Sequence, residues 1–399
     1  MSASVLGHLT LGYQLVWNRL RHPVAVMLFV ERLEGAAVDA HNLLATLSQA
    51  WSGRSPKLIL CVQSPELLFD LLQNAPPDGP WIAVQEDYLA LPSAVERVRA
   101  AHVRGLTLLW RGRAEHGAGA EIQDFFALRV VTADPAKAPP GADADQIVES
   151  VPHVELVERY LDKQGALGVA GWPLDSVLQS YGHRIEPNKN SIDQLMVETD
   201  DDVPLEVIEQ TLSEEPVLVY RFLLHANSAA RGLRDVDSLR HALMLLGLSN
   251  FKRWLEEQLA LASSDLNLLP VRSSLVVRAR LTEQLLDAGE DDELRSEVYL
   301  CGLMSQIDKV LGEPLATALH RFPLSERIIS AVLGKSGPYA PYLALAGALE
   351  YGNMHQVPAL CETCEIDIAD VNRVLLRVLA HPQYQPPNSL FPVSRIDSR

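Results

Sequence analysis

Positive charge is scarce in this chain: 34 Lys and Arg stand against 51 Asp and Glu in 399 residues, a formal net charge of −17. That balance repels phosphate backbones and anionic lipid, so nonspecific binding to DNA, RNA or membrane surfaces is not expected. Long apolar runs are missing too. No stretch of about 18 uninterrupted apolar residues occurs, which argues against a membrane span. The opening Met1-Ser-Ala-Ser-Val-Leu-Gly-His8 lacks the basic start and apolar core of a signal peptide, and the expected location is the cytoplasm.

Cysteine is rare. Cys61, Cys301, Cys361 and Cys364 are too few and too scattered to staple a chain of this length. Cys361-Glu-Thr-Cys364, with His355 before it and His381 after it, lacks the second ligand pair of a structural zinc site. It also sits among helical patterns, whereas a redox CxxC opens a helix after a strand. Packing cysteines in a reduced compartment are expected, with no metal and no cofactor. There is no Gly-x-x-x-x-Gly-Lys-Ser/Thr phosphate loop and no Gly-x-Ser-x-Gly elbow.

What is present falls into two halves, as the length of the chain suggests. Up to residue 175 short β-rich runs alternate with helical patterns. Candidate strands are Val24–Val30, Leu58–Val62, Trp81–Val84, Leu106–Trp110 and Ala127–Val131, with helices near 37–52, 65–75 and 91–103. Continuous apolar strands separated by helices imply a largely parallel sheet covered on both faces. The segment Ala133–Asp145, with Pro135, Pro139, Pro140 and Gly141, has too many breakers for regular structure and reads as an exposed loop. Arg97, Arg99, Arg104, Arg111 and Arg113 form the one dense basic cluster, and a solvated surface with ion pairs is its plainest explanation.

Residues 176–190 read as a linker, 191–385 as an all-α domain, and 386–399 as a frayed tail. In the helical half Ser213 is expected to cap a helix whose first turn holds Glu214, Glu215 and Pro216. Leu218, Phe222 and Ala226 then share one face. Asp237 is expected to cap the next helix, with Leu239, Leu243 and Leu246 inward and Gly247 ending it. A third helix places Phe251, Trp254, Leu255 and Leu259 inward. No fixed period links the later helices, which excludes a solenoid.

Glu215-Pro216-x-Leu218, then Leu223-Leu224-x-Ala226-Asn227-Ser228, then Ser238-Leu239-x-x-Ala242 and Leu246-Gly247, resembles the HDOD domain, a relative of the HD phosphohydrolases. Glu297–Asp308 is similar to that family's following core helix. The resemblance implies an HD-like helical bundle. A hydrolase of that kind needs His and Asp side chains, an adjacent His-Asp pair among them, to hold metals that activate water. This chain has no His-Asp dipeptide, and Ser305-Gln306 stands where the pair would fall. His225 and His241 have no carboxylate at ligand spacing and read as packing histidines. Asn227 and Ser228 lie near a helix end, where short polar side chains bond free backbone groups; contact with a partner protein is their alternative role.

HDOD domains often follow an EAL-type barrel that hydrolyses cyclic di-GMP with metal-bound water. Gly12-Tyr-Gln-Leu-Val-Trp-Asn18 resembles its signature strand, with Gln14 and Asn18 where the metal-binding Glu and a substrate-contacting Arg would stand. Gly105-Leu-Thr-Leu-Leu-Trp-Arg-Gly112 is similar to the strand that ends in two Asp, with Arg111 and Gly112 in their places. Arg129-Val-Val131 falls near the family's Lys-containing strand, Val169–Pro173 resembles a barrel-closing segment, and Glu149 is a candidate remnant acid. About 175 residues are few for eight βα units. A degenerate barrel, incomplete by one or more helices or a strand, is therefore expected.

Two functions follow. The leading one is a noncatalytic bacterial signal-transduction protein acting through regulatory protein partners, with Arg111 or Arg113 available to pair with a cyclic dinucleotide phosphate. The alternative is a metal-dependent cyclic di-GMP phosphodiesterase, or an HD-type phosphohydrolase, with an unusual ligand set.

Overall fold

Apolar runs too short for helices, bounded by turn residues, become strands that close on themselves. The structure, a computed structural model, describes residues 5–91, 93–113, 119, 121–133, 144–182, 185–230, 238–287, 289, 291–321 and 323–381. The chain divides into a barrel unit, Met1–Pro173 with Gly347–Arg399, and a helical unit, Leu174–Ala346.

Eight strands close the barrel in chain order: β1 Leu9–Trp17, β2 Pro23–Arg32, β3 Lys57–Val62, β4 Trp81–Gln85, β5 Leu108–Arg113, β6 Leu128–Thr132, β7 Gln146–Glu149 and β8 Gly168–Ala170. The sheet is mixed. β2 to β8 pair in parallel, while β1 is antiparallel to both neighbours. Helices α1 Ala40–Ala50, α2 Pro65–Asn74, α3 Ala94–Val103 and α4 Val154–Glu158 connect strands, the last running into a π-helical turn, Arg159–Lys163. Asp39 caps α1 by accepting from the His41 N–H, and Ser64 caps α2 from the Leu67 N–H with Pro65 in the first turn. These caps fix where each helix starts.

Of the expected shortfalls, one or more helices or a strand, a missing strand is corrected: the barrel has eight strands, of mixed rather than all-parallel pairing. Among the described residues β5 and β6 are joined by a 3-10 turn, Gln123–Phe125, with no α-helix. The alternating interior positions Val16, Ala25, Met27, Phe29, Ile59, Cys61, Trp81, Ala83, Leu109, Leu128, Val130, Ile147 and Ala170 form one buried cluster. Such a packed barrel interior needs no helix on every strand.

The helical unit runs through α5 Leu174–Ser180, α6 Lys189–Asp200, α7 Leu205–Ser213, α8 Pro216–Ala230, α9 Leu239–Leu246, α10 Leu248–Leu259, α11 Leu269–Leu286, α12 Asp292–Met304, α13 Ile307–Leu311, α14 Leu315–Leu319, α15 Glu326–Val332 and α16 Ala340–Ala348. Leu218, Phe222 and Ala226 are buried as their spacing requires, and Phe222 packs edge-on to Phe251 at 4.9 Å and beside Trp254 at 5.0 Å. Ser213 does not cap α8. It ends α7, and Glu215 does the capping, its carboxylate accepting from the Leu218 N–H at 2.7 Å. Ser238 caps α9 through the His241 N–H, Asp237 lies outside the described residues, and Gly247 ends the helix at φ 73°.

The chain divides elsewhere than at the boundaries suggested by composition. The expected linker 176–190 contains the end of α5 and the α6 cap Asn188. The expected helical domain 191–385 is cut at 347, because α17 Val357–Cys364 and α18 Ile368–Leu379 belong to the barrel unit. Asn372 of α18 anchors them, donating to the carbonyls of Leu6 at 2.8 Å and Leu9 at 2.7 Å. Periodicity announces a helix but not the core it joins. Most of the Ala133–Asp145 loop, at 134–143, and the tail 386–399 lie outside the described residues.

Candidate functional site

In βα barrels chemistry sits at the C-terminal ends of the parallel strands. Here the interior positions at those ends are Phe29, Cys61, Ala83, Arg111, Thr132 and Glu149. Arg111 and Glu149 are 9% and 5% exposed. The Arg111 guanidinium grips the Glu149 carboxylate, Nη2 to Oε2 at 3.0 Å and Nε to Oε2 at 3.1 Å, and Thr132 Oγ1 donates to the other oxygen at 3.1 Å. Above them Tyr351 stacks on Phe29 with ring centroids 3.8 Å apart, and its hydroxyl accepts from Arg111 Nη2 at 3.4 Å.

Electrostatics follow from burial. Desolvation opposes the charge on Arg111, yet the fields of Cys61 and Glu149 and the bonds to Glu149 and Tyr351 prevail, and its pKa lies above the ordinary value. Burial pushes the Cys61 thiol up to about 12, despite Arg111 beside it. That thiol is protonated at neutral pH and a poor nucleophile. Glu149 is the one buried carboxylate of the barrel unit among the described residues, and a cation already holds it. Divalent metals are held by several oxygen ligands, and the described residues contain no group of three or more His, Cys, Asp and Glu arranged for a metal.

The residues linked by resemblance to one site do not meet. Gln14 lies at mid-height opposite Met27, its side chain against Gly171, with its Oε1 buried and without a hydrogen-bond partner among the described residues. Asn18 is at the opposite face of the barrel from Arg111. It builds the β1–β2 turn, accepting from the N–H groups of Leu20 at 2.9 Å and His22 at 3.0 Å. Gly112 has room for no side chain, since a Cβ there would approach Glu86 Oε2 at 2.4 Å and the Trp110 ring at 2.6 Å. Arg113 is exposed, and its backbone N–H is bound by Glu86 at 3.2 Å.

The basic cluster disperses. Arg97 lies over the Phe69 ring, Arg99 over Phe125, and Arg104 donates to the Leu72 carbonyl. Arg111 alone among them is buried. Sequence reasoning reached Arg111 and Glu149 separately, each through the resemblance to EAL-type strands, but nothing in the sequence paired the two.

In the helical unit Asn227 is half-buried and turned back on its own helix, Nδ2 to the Leu223 carbonyl at 2.9 Å, while Ser228 is exposed. His225 is half-buried with its ring 6.0 Å from Trp254. Ser305 Oγ donates to Gly302 at 2.6 Å, and the nearby Glu297 is taken by Tyr339, Arg327 and Ser325. The motif singles out Glu215 but not its partner Arg272; the two form a buried pair with Nε to Oε1 at 2.6 Å. Glu215 also accepts from the Asn188 N–H at 3.2 Å. The Glu-Pro pair of the motif therefore starts α8 and joins it to α6 and α11. Cys361 is buried in α17 and its thiol, chiefly through burial, is raised to about 11, so it packs rather than reacts.

With that helical architecture in place, comparison with known families matches the HDOD domain over residues 188–316. Residues 188–316 are an HDOD domain. The HDOD segment thus spans α6 to the start of α14. Among curated proteins the chain is similar to the uncharacterized protein YuxH of Bacillus subtilis, 28% identical over 43% of this chain and 43% of that protein. It is also similar to the cyclic di-GMP phosphodiesterase CdgJ of Vibrio cholerae, 21% identical over 42% of this chain and 39% of that one. The matches span about two fifths of the length of these relatives. Among solved structures, the MmoQ response regulator of Methylococcus capsulatus aligns at 16% identity and a TM-score of 0.38, over 48% of this chain and 98% of that one. No helix of the described residues is long and apolar enough to cross a membrane.

Proposed function

We propose that this is a noncatalytic bacterial signal-transduction protein in which an HDOD domain and a degenerate EAL-type barrel present surfaces to regulatory protein partners. One observation carries the reading: the barrel position where chemistry would sit holds a closed Arg111–Glu149 pair. A carboxylate already neutralised by a guanidinium is a weak metal ligand, and a cation at Arg111 repels a divalent ion. The resemblance of β1 and β5 to EAL strands supports the barrel's ancestry, while Gln14, Asn18, Arg111 and Gly112 supply no anionic oxygen. In the HDOD domain Ser305-Gln306 replaces the acid a hydrolase requires.

The reading is tested by affinity capture with the full chain as bait, alongside an Asn227→Ala/Ser228→Ala double variant. A discrete partner enriched by the wild-type chain and reduced by the variant is expected; no enrichment over an unrelated acidic protein contradicts partner binding.

The activity in the name of the Vibrio relative favours a second reading, recognition of a cyclic dinucleotide. Arg113 is the exposed cation for it, since Arg111 is engaged by Glu149. Calorimetric titration with cyclic di-GMP, comparing wild type with Arg113→Ala, distinguishes binding that depends on this arginine from none.

A further inference from the structure

A solvent-open cavity of about 930 Å³ lies at the mouth of the barrel, where the ends of β1 and β2 meet α17 and the start of α18. Thr10 pairs with Glu31 one step of the pleat beyond Gly12 and Phe29, so both side chains leave from the interior face of the sheet. Thr10 is 2% exposed, yet it lines this cavity and its hydroxyl hydrogen-bonds to no described residue. Buried hydroxyls are rarely left unpaired, and one that faces a cavity is satisfied by what enters it.

Charge defines the occupant. Glu31 and Glu34 come from the end of β2 and the residues after it, and Glu362, Glu365 and Asp367 from α17 and the cap of α18. All five are exposed, and none is in an ion pair among the described residues. One Asp367 oxygen accepts from the Ala369 N–H at 2.8 Å, and Arg32 is the one Lys or Arg of the lining. A cleft lined by one sign of charge concentrates the opposite sign and repels phosphate. Leu33, Pro358, Ile366 and Ile368 add apolar wall, a surface for the methylene stems of Lys or Arg whose charged ends reach the carboxylates. Acids carried by two separate elements are engaged together by an extended segment with several cationic side chains, which a single small amine cannot match.

We propose that this cavity is a docking site for a basic, extended segment of a partner protein, with Thr10 bonding its backbone and the carboxylates its Lys or Arg side chains. The assignment rests on the partner-binding reading above and gives the barrel unit a partner surface of its own.

The test is fluorescence anisotropy of the full chain with a labelled peptide that alternates Arg and Leu, beside the same peptide with Gln for Arg and with spermine as competitor. The Arg peptide binds and weakens as ionic strength rises, and the Gln peptide does not bind. Glu31→Gln/Glu362→Gln weakens the Arg peptide by about tenfold. Thr10→Val, which keeps the side-chain shape, weakens it by about fivefold. Glu256→Gln/Glu257→Gln, an equal change of charge at exposed positions of α10, leaves the affinity at the wild-type value and so separates this cavity from the general attraction of an acidic protein. Equal binding by wild type and Glu31→Gln/Glu362→Gln, or equal losses in the two charge-matched variants, overturns the proposal. Displacement by spermine at concentrations as low as those of the unlabelled peptide also overturns it, in favour of a small amine. A chain that captures a partner yet fails this titration loses only the basic segment, whereas one that captures none loses the partner-binding reading itself.

Discussion

Arg111 and Glu149 face each other across the top of the barrel from β5 and β7, a cation and an anion buried together with Nη2 and Oε2 3.0 Å apart. Breaking a buried pair from one side strands the remaining charge, whereas replacing both with apolar groups is close to neutral. Glu149→Gln should therefore cost on the order of 3–5 kcal/mol in urea unfolding of the barrel unit. The Arg111→Met/Glu149→Leu double variant should return to within about 1 kcal/mol of wild type. Equal losses in both proteins would show that the pair's geometry, and not the unpaired charge, sets the cost.

Two adjacent glutamates should behave differently. Glu215 is buried, caps α8, binds the Asn188 N–H and pairs with Arg272, while Glu214 is 41% exposed and pairs with Arg280 at the surface. Glu215→Ala is expected to destabilise the helical unit by about 3–5 kcal/mol, combining a lost cap with an unpaired buried Arg272. Glu214→Ala should cost about 1 kcal/mol or less. Denaturant midpoints of the two variants check this, and similar values would contradict the assignment of the cap.

Much of the fold was legible because local pattern and tertiary role agree. β2, β3 and β4 are unbroken apolar runs buried on both faces, and the α8 stripe of Leu218, Phe222 and Ala226 points where its spacing says. β7 and β8, four and three residues long, carry too few side chains to signal a strand alone. α18 looked like any amphipathic helix, and only its docking on Leu6 and Leu9 assigns it to the barrel. Of the candidate site, Arg111 and Glu149 were each visible in sequence, Glu149 as a candidate remnant acid, but their pairing spans 38 residues and the cover Tyr351 comes from 240 residues away. Such separations leave no local signal.

The pH response of the helical unit has a determinable sign. Burial, set against the opposing fields of Arg280 and Arg295, raises the Glu283 carboxyl above its ordinary value of 4.5. The native unit binds that proton more tightly than the unfolded chain, so protonation favours folding. The benefit is complete below 4.5 and is lost as pH rises through the raised native value. Glu283→Gln, neutral throughout, should be more stable than wild type at pH 7, with the gap closing as pH falls toward 4.5. Urea midpoints across that range measure it; a gap that widens on acidification would reverse the sign.

The proposed signalling without catalysis has one decisive consequence: neither domain should hold a metal or turn over a nucleotide. Its most direct test is elemental analysis of the purified chain, with turnover of cyclic di-GMP followed in magnesium and in manganese. Signalling without catalysis predicts no stoichiometric bound metal and no product above the uncatalysed rate in either ion. Bound stoichiometric metal together with multiple turnovers, lost on chelation and restored on reloading, would contradict it.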